Sequence, residues 1–270
     1  MSTETAPEAG TEAGSGPGTE PGAGSVPEGR AEWERWRERR TVSVSAPHGL
    51  LALTGTYWLE DLTDGEIPGL AGHWRLDGDT VVREADGGST VLRPEGEPLL
   101  LTDGRRIVVI AREGSYGVRV WDPEAPARRT FSGIEAFDWD GRWVVPGVFR
   151  PFDETRTVRL PNADGRERGL GLGGELSFAV DGSEHTLSVA VEGDGRLWAV
   201  VADGTSGKTS FRFRFLYTSA PAEDGSLTVD LNRTELPPCA LGEGFICPFP
   251  PPGNTLPFAL EAGERAVLTH

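Results

Sequence analysis

The sequence predicts an all-β, antiparallel fold, barrel-like or a tight sandwich, with one short helix ahead of it. Two observations carry this expectation. From Leu50 onward, short apolar runs rich in β-branched and aromatic residues alternate with period two, as a strand's two faces require. Between the runs stand the pairs Asp77-Gly78, Asp103-Gly104, Asp164-Gly165, Asp181-Gly182, Asp194-Gly195 and Asp224-Gly225. Both residue types tolerate the positive φ of a type I′ turn, so each pair predicts a hairpin. Repeated hairpins with few helices predict a meander, stacked as a sandwich or closed as a barrel.

Of the 270 residues, the first 29 are almost wholly Ala, Gly, Pro, Ser, Thr and Glu, without an aromatic. That composition buries too little apolar surface to offset the entropy of ordering. A disordered acidic tail is expected over 1–29, and a single all-β domain over 30–270, with no internal repeat. A helix is expected over Arg30–Arg40, where Trp33, Trp36 and Arg40 share one face. That face either meets a partner or anchors the helix on the domain, and anchoring is the simpler reading.

Strands are expected at Leu50–Thr54, Thr80–Arg83, Thr90–Arg93, Arg106–Ala111, Gly117–Trp121, Trp143–Phe149, Thr155–Leu160 and Glu175–Val180. They continue at Thr186–Val191, Leu197–Ala202, Thr209–Tyr217, Ser226–Leu231 and Leu256–Leu260. Within Thr209–Tyr217, Phe211, Phe213 and Phe215 alternate with Arg212 and Arg214. The rings predict a buried face. The guanidiniums face either a ligand cavity or, as the plainer reading, water.

The formal charge is −16, and the first 29 residues hold five glutamates and no basic residue, leaving about −11 on the rest. A net acidic chain without a Lys/Arg stripe argues against nucleic acid and anionic membrane as partners. No apolar run reaches the length of a membrane span, and no leader pattern opens the chain, so a cytoplasmic protein is expected. Lys208 is the only lysine among 26 basic residues.

Chemical motifs are sparse. Gly169, Gly171 and Gly174 match G-x-G-x-x-G, but a dinucleotide needs a helix after it and a strand is expected there; an inter-strand loop is the simpler role. A serine nucleophile at Ser206 with His185 lacks the strand-turn-helix elbow, and Asp203, Thr205 and Ser206 suit local turn bonding instead. Cys239 and Cys247 are spaced more widely than paired zinc ligands, and the four histidines are scattered, so neither metal nor cofactor is expected. The two cysteines predict a disulfide or a thiol pair pinning a loop, with a reactive thiol as a further option. Asp230 and Arg233 either pair, with Asn232 capping the turn, or face a ligand. Arg119 and Asp122 pose the same alternative.

Four blocks together resemble domain-of-unknown-function family 1684. They are His48–Gly55 with Tyr57-Trp58-Leu59; Tyr116–Val120 with Asp122-Pro123 and Phe131-Ser132-Gly133; Ala202–Thr209 with Arg214-Phe215-Leu216; and a C-terminal block. The last holds Asp230–Arg233, Pro237–Ala240, Cys247-Pro248, Pro250-Pro251, Asn254 and Ala262-Gly263-Glu264, and is the most specific. The resemblance spans about residues 31–265. It implies a predominantly β, mostly bacterial domain whose polar residues in these blocks cluster together. The chain departs from the family at Leu231, Leu236 and Thr255, where an aromatic, an Asn and an Arg are usual. A binding module for a small polar or anionic ligand follows as the leading expectation, with Arg119, Asp203, Lys208, Arg214, Asp230, Asn232 and Arg233 as its binding residues. The rivals are a hydrolase using Asp203, Asp230 or Cys239, and a structural or protein-partner role.

Overall fold

The computed structural model describes residues 26–270. The expected acidic tail therefore lies, up to residue 25, outside the described residues. Helix α1 runs Val26–Ser45, beginning before Arg30 and ending well after Arg40. A proline is compatible with its first turn, where backbone N–H groups have no intrahelical acceptor. Its last turn keeps a β-branched sequence helical because Val44 is fully buried against Leu51, Ile134, Leu236 and Leu241. Tertiary packing there overrides intrinsic propensity.

The strands are β1 Leu53–Trp58, β2 Glu66–Ile67, β3 Leu70–Asp77, β4 Thr80–Ala85, β5 Gly88–Leu92, β6 Leu99–Leu100, β7 Arg106–Arg112 and β8 Ser115–Trp121. After the five-residue helix α2 Pro126–Thr130 come β9 Phe131–Ala136, β10 Val144–Pro161, β11 Glu167–Val180 and β12 Ser183–Val191. The last four are β13 Leu197–Val201, β14 Arg214–Tyr217, β15 Ser226–Asp230 and β16 Glu264–Thr269. Every ladder between them is antiparallel. The fold is thus all-β, as the alternation and turns predict.

Two four-stranded sheets, β1-β8-β7-β6 and β2-β3-β4-β5, enclose an N-terminal core around Trp74, Val81, Ile107 and Val118. A six-stranded half-barrel, β14-β13-β12-β11-β10-β15, holds the larger core around Leu176, Leu187, Val189 and Leu231. The pair β16-β9 ties the end of the chain to its middle.

Several expectations change in detail. Leu50–Ala52 forms a 3-10 turn, and the first strand begins only at Leu53. The glycine run is no loop: Gly169 to Gly174 lies inside β11, paired along β10. A side chain at Gly174 would meet the Phe149 ring at 2.4 Å, so glycine is what lets the two long strands approach there. Leu256–Leu260 is not a strand, because Pro257 cannot donate to a ladder. Its apolar ends, Leu256 and Leu260, are nonetheless buried in the larger core.

The hairpin turns are mostly of another type than expected. Among the six pairs named from the sequence, only Asp181-Gly182 has positive φ at both residues, 49° and 77°. In the loops around Asp103, Asp164, Asp194 and Asp224, only the following glycine does. In each of these four, the Asp carboxylate accepts the backbone N–H two residues on. This is the three-residue loop of a type I turn followed by a left-handed glycine, which suits the strand twist equally well.

Candidate functional site

A cavity of about 470 Å³ opens where the N-terminal sheet meets the half-barrel. Arg112 and Arg119 reach it from β7 and β8, Asn162 from the β10–β11 turn, Arg168 from the start of β11, and Trp198 and Phe215 from β13 and β14. Phe245, Ile246 and Cys247 close it from the segment between Pro237-Pro238 and Pro250-Pro251. That segment is clamped to β10 by backbone bonds from Ala163 N to Cys247 O (2.8 Å) and from Phe249 N to Pro161 O (3.0 Å).

Arg119 follows from strand alternation. Val118 and Val120 face the N-terminal core, so the side chain between them points the other way. Its register partner on β1 is Thr56, whose hydroxyl accepts from Arg119 Nε at 3.1 Å. Thr56 in turn donates to Gly244 O at 2.6 Å, linking the arginine to the closing segment. The ring of Phe245 lies 5.8 Å from the guanidinium carbon. Among the described residues, no carboxylate pairs with Arg119, and its two terminal nitrogens have no partner. Burial, with Arg112 and Arg168 nearby, lowers its pKa to about 10, so it is a cation at neutral pH.

Arg168 is held differently, by a bidentate pair to Asp164 with both contacts at 2.8 Å. Against the upward push of burial, this pairing holds Asp164 below the usual carboxylate range. No acidic residue lines the cavity. Two neutral polar atoms in the cavity wall lack partners. Asn162 is 7% exposed and donates to Ile246 O at 2.9 Å, but its side-chain oxygen is buried without a partner. The indole N–H of Trp198 is likewise buried and unpaired.

The other residues singled out in the sequence sit elsewhere. Arg214 and Asp203 form a fully buried pair at 2.8 Å. Arg214 also donates to the carbonyls of Leu260, Ala262 and Glu264. Its face is therefore neither solvated nor open to a cavity, because the C-terminal segment covers it. Burial pushes Arg214 down. Although burial pushes Asp203 up, Arg214 and two bonds from Thr205 hold it below its ordinary value. Ser206 bonds back to Asp203 N, and His185 packs against Phe258, so no serine triad forms. Lys208 is exposed and bonds the Gly204 carbonyl.

Asp230, Asn232 and Arg233 do come together, but around α1. Asn232 is 1% exposed and its amide bridges both backbone groups of Asp140. Its carbonyl accepts from the Trp33 indole at 2.9 Å. Arg233 links Asp230 to Glu32 of the helix. Trp33 thus anchors the helix. Cys239 and Cys247 are free thiols beside one another, with Cys239 N donating to Cys247 Sγ at 3.3 Å. Among the described residues no cluster of metal ligands occurs, and no helix is long and apolar enough to cross a membrane.

A second cleft, of about 460 Å³, lies between α1 and the half-barrel, lined by Trp36, Trp139, Tyr217, Asp230 and Glu235 among others. Burial raises the Glu235 pKa to about 7. Its nearest cation, Arg40, is 3.2 Å away but equally close to Glu264, so one charge serves two carboxylates. Neither Glu235 nor the cavity residues Arg112, Asn162, Arg168 and Trp198 stood out in the sequence. They lie outside any recognisable motif and converge only through sheet packing.

The fold and cavity define an antiparallel all-β protein with a cationic, acid-free cavity at a sheet junction. The model of the family described as "Protein of unknown function (DUF1684)" matches residues 129–265, and the chain belongs to this family. The matched span supplies the half-barrel and the closing segment, whereas Arg112 and Arg119 precede it. The chain is also similar to an uncharacterized protein of Haloarcula marismortui solved by solution NMR, at 30% identity. That likeness covers 50% of this chain and 77% of the other, with a TM-score of 0.42. No curated protein matches.

Proposed function

We propose that the protein binds a small organic anion in the cavity between β8, the β10–β11 turn and the closing segment. The observation that carries this reading is Arg119: a largely buried guanidinium with two free nitrogens, in a cavity without acids, on a strongly acidic chain. A planar fork of this kind suits a carboxylate or phosphate. Trp198, Phe215 and Phe245 offer a wall for a flat apolar portion, and the volume suits a small ligand. Trp198 Nε1 and Asn162 Oδ1 supply one donor and one acceptor for a polar substituent.

Calorimetric titration with benzoate and phenyl phosphate tests it. The wild-type protein should bind at least one probe, and Arg119→Gln should weaken that binding about tenfold or more, the loss of roughly one charge-assisted hydrogen bond. Unchanged binding by Arg119→Gln, or silence from both probes at millimolar concentration, overturns the reading.

One observation favours a second reading, proton-transfer chemistry in the other cleft. A carboxyl with its pKa raised to about 7 can give or take a proton near neutrality. On this reading Glu235, with Asp230 nearby, carries the hydrolase alternative. A screen of chromogenic esters and phosphoesters should then show turnover that Glu235→Gln abolishes; no turnover in the wild type refutes it.

A further inference from the structure

Neither reading above uses the sulfur chemistry of Cys239 and Cys247, although Cys247 helps close the cavity, and the setting of the pair is specific. The two residues share one apolar cluster with Phe213, Phe215 and Phe245. The backbone N–H of Cys239 points at Cys247 Sγ, 3.3 Å away. Pro237-Pro238 and Pro248 flank the pair and stiffen the chain on both sides. The two thiols are unequal in access: Cys247 is 6% exposed, whereas Cys239 is only partly covered. Arg212 adds a cation at the open side. Its guanidinium stacks on Phe249 at 4.5 Å and lies 5.4 Å from the Phe213 ring, over the same cluster.

We propose that Cys239 and Cys247 form a peroxide-oxidisable dithiol, with Cys239 as the attacking sulfur and Cys247 as the resolving one. The electrostatics agree with that division of labour. A hydrogen bond from Cys247, then the Arg212 charge, hold the Cys239 thiol below its ordinary pKa. Cys247 is pushed far up, by that same hydrogen bond and by burial, and stays protonated.

The reaction balances with a hydroperoxide as the oxidant. The Cys239 thiolate attacks the peroxide: an S–O bond forms, the O–O bond breaks, and the departing hydroxide takes up the proton that the Cys239 thiol gave to solvent, leaving as water. The Cys247 sulfur then attacks Cys239 Sγ: an S–S bond forms, the S–O bond breaks, and the oxygen leaves as water with the Cys247 proton. The dithiol loses two electrons and the peroxide gains them. The product closes the loop between the two cysteines, which contains Phe245 and Ile246 of the cavity wall. A thiol reductant restores the starting state.

The test uses the full chain treated with hydrogen peroxide, quenched, alkylated with N-ethylmaleimide and weighed intact. The wild type should lose about 2 Da, the mass of two hydrogens, and both maleimide adducts. Cys247→Ser should stop at a sulfenic acid that dimedone traps on Cys239, whereas Cys239→Ser should take up no dimedone. Arg212→Gln should slow the wild-type reaction several-fold while circular dichroism stays unchanged. Retention of both alkylatable thiols under conditions that oxidise free cysteine overturns the proposal, as does equal dimedone labelling of the two serine variants. Should a serine variant misfold, brief peroxide treatment of the wild type with peptide mapping still decides, because sulfenic acid must appear on Cys239 first.

Discussion

Arg214 and Arg119 are both withdrawn from water in an all-β protein, and they do opposite things. Arg214 is completely buried, faces Asp203 at 2.8 Å and donates to three carbonyls. Its charge is neutralised and both terminal nitrogens are filled, with only Nε left without a partner inside the core, so it joins β14 to the C-terminal segment and offers nothing to a visitor. Arg119 donates one bond, to Thr56, and faces a cavity without a carboxylate. The lesson is that a buried cation signals a ligand only when its hydrogen-bonding capacity is left open. Burial alone, or a place in a distinctive sequence block, does not distinguish the two.

The sharpest way to break this comparison is Asp203→Ala. It strands Arg214 in the core and removes the acceptor for Thr205 and for Leu260 N. A loss of about 3–5 kcal/mol in urea unfolding is expected. A change below about 1 kcal/mol would mean that the pair is not structural.

Glu235 tests the same idea from the acidic side. Its pKa is raised from 4.5 to about 7, so the folded state holds a proton that the unfolded state releases between those values. Stability therefore falls as pH rises through that window, and the penalty is full above it. Glu235→Gln should leave stability unchanged below pH 4.5 and raise it above pH 7, by on the order of 3 kcal/mol. Parallel stability curves for the two proteins from pH 4 to 8 would show that the carboxyl titrates normally.

Asn232→Ala removes an amide that satisfies both backbone groups of Asp140. A cost of about 2 kcal/mol is expected. Amide exchange should concentrate its effect around Asp140 and residues 231–233, because the Trp33 indole bonds the backbone carbonyl of residue 232, which alanine keeps; uniform loss of protection would argue against so local a role. The smallest expected effect belongs to Arg119→Gln. With no carboxylate to strand, its unfolding midpoint should move by less than about 0.5 kcal/mol equivalent, while the proposed anion binding weakens about tenfold or more. A large destabilisation would place Arg119 alongside Arg214 as part of the scaffold.

The strand content was readable because alternation and Asp-Gly spacing are local signals. Arg119 was readable too, lying between Val118 and Val120 within a distinctive block. The Gly169–Gly174 run was misleading, since glycine weakens the strand signal even where a close approach of two strands requires it. The Arg212/Arg214 alternation predicted one strand over Thr209–Tyr217, but the strand begins only at Arg214, whose side chain the C-terminal segment buries. Arg112, Asn162, Arg168 and Trp198 carried no local signal at all.

The all-β class, most of the hairpin positions, the family and the cysteine-bearing block are legible in the chain because each rests on patterns within a few residues. Which arginine is neutralised and which is open, and which carboxyl is pushed up, emerge only on folding. Those properties depend on groups brought together from distant strands, whose burial and shared hydrogen bonds no local pattern encodes.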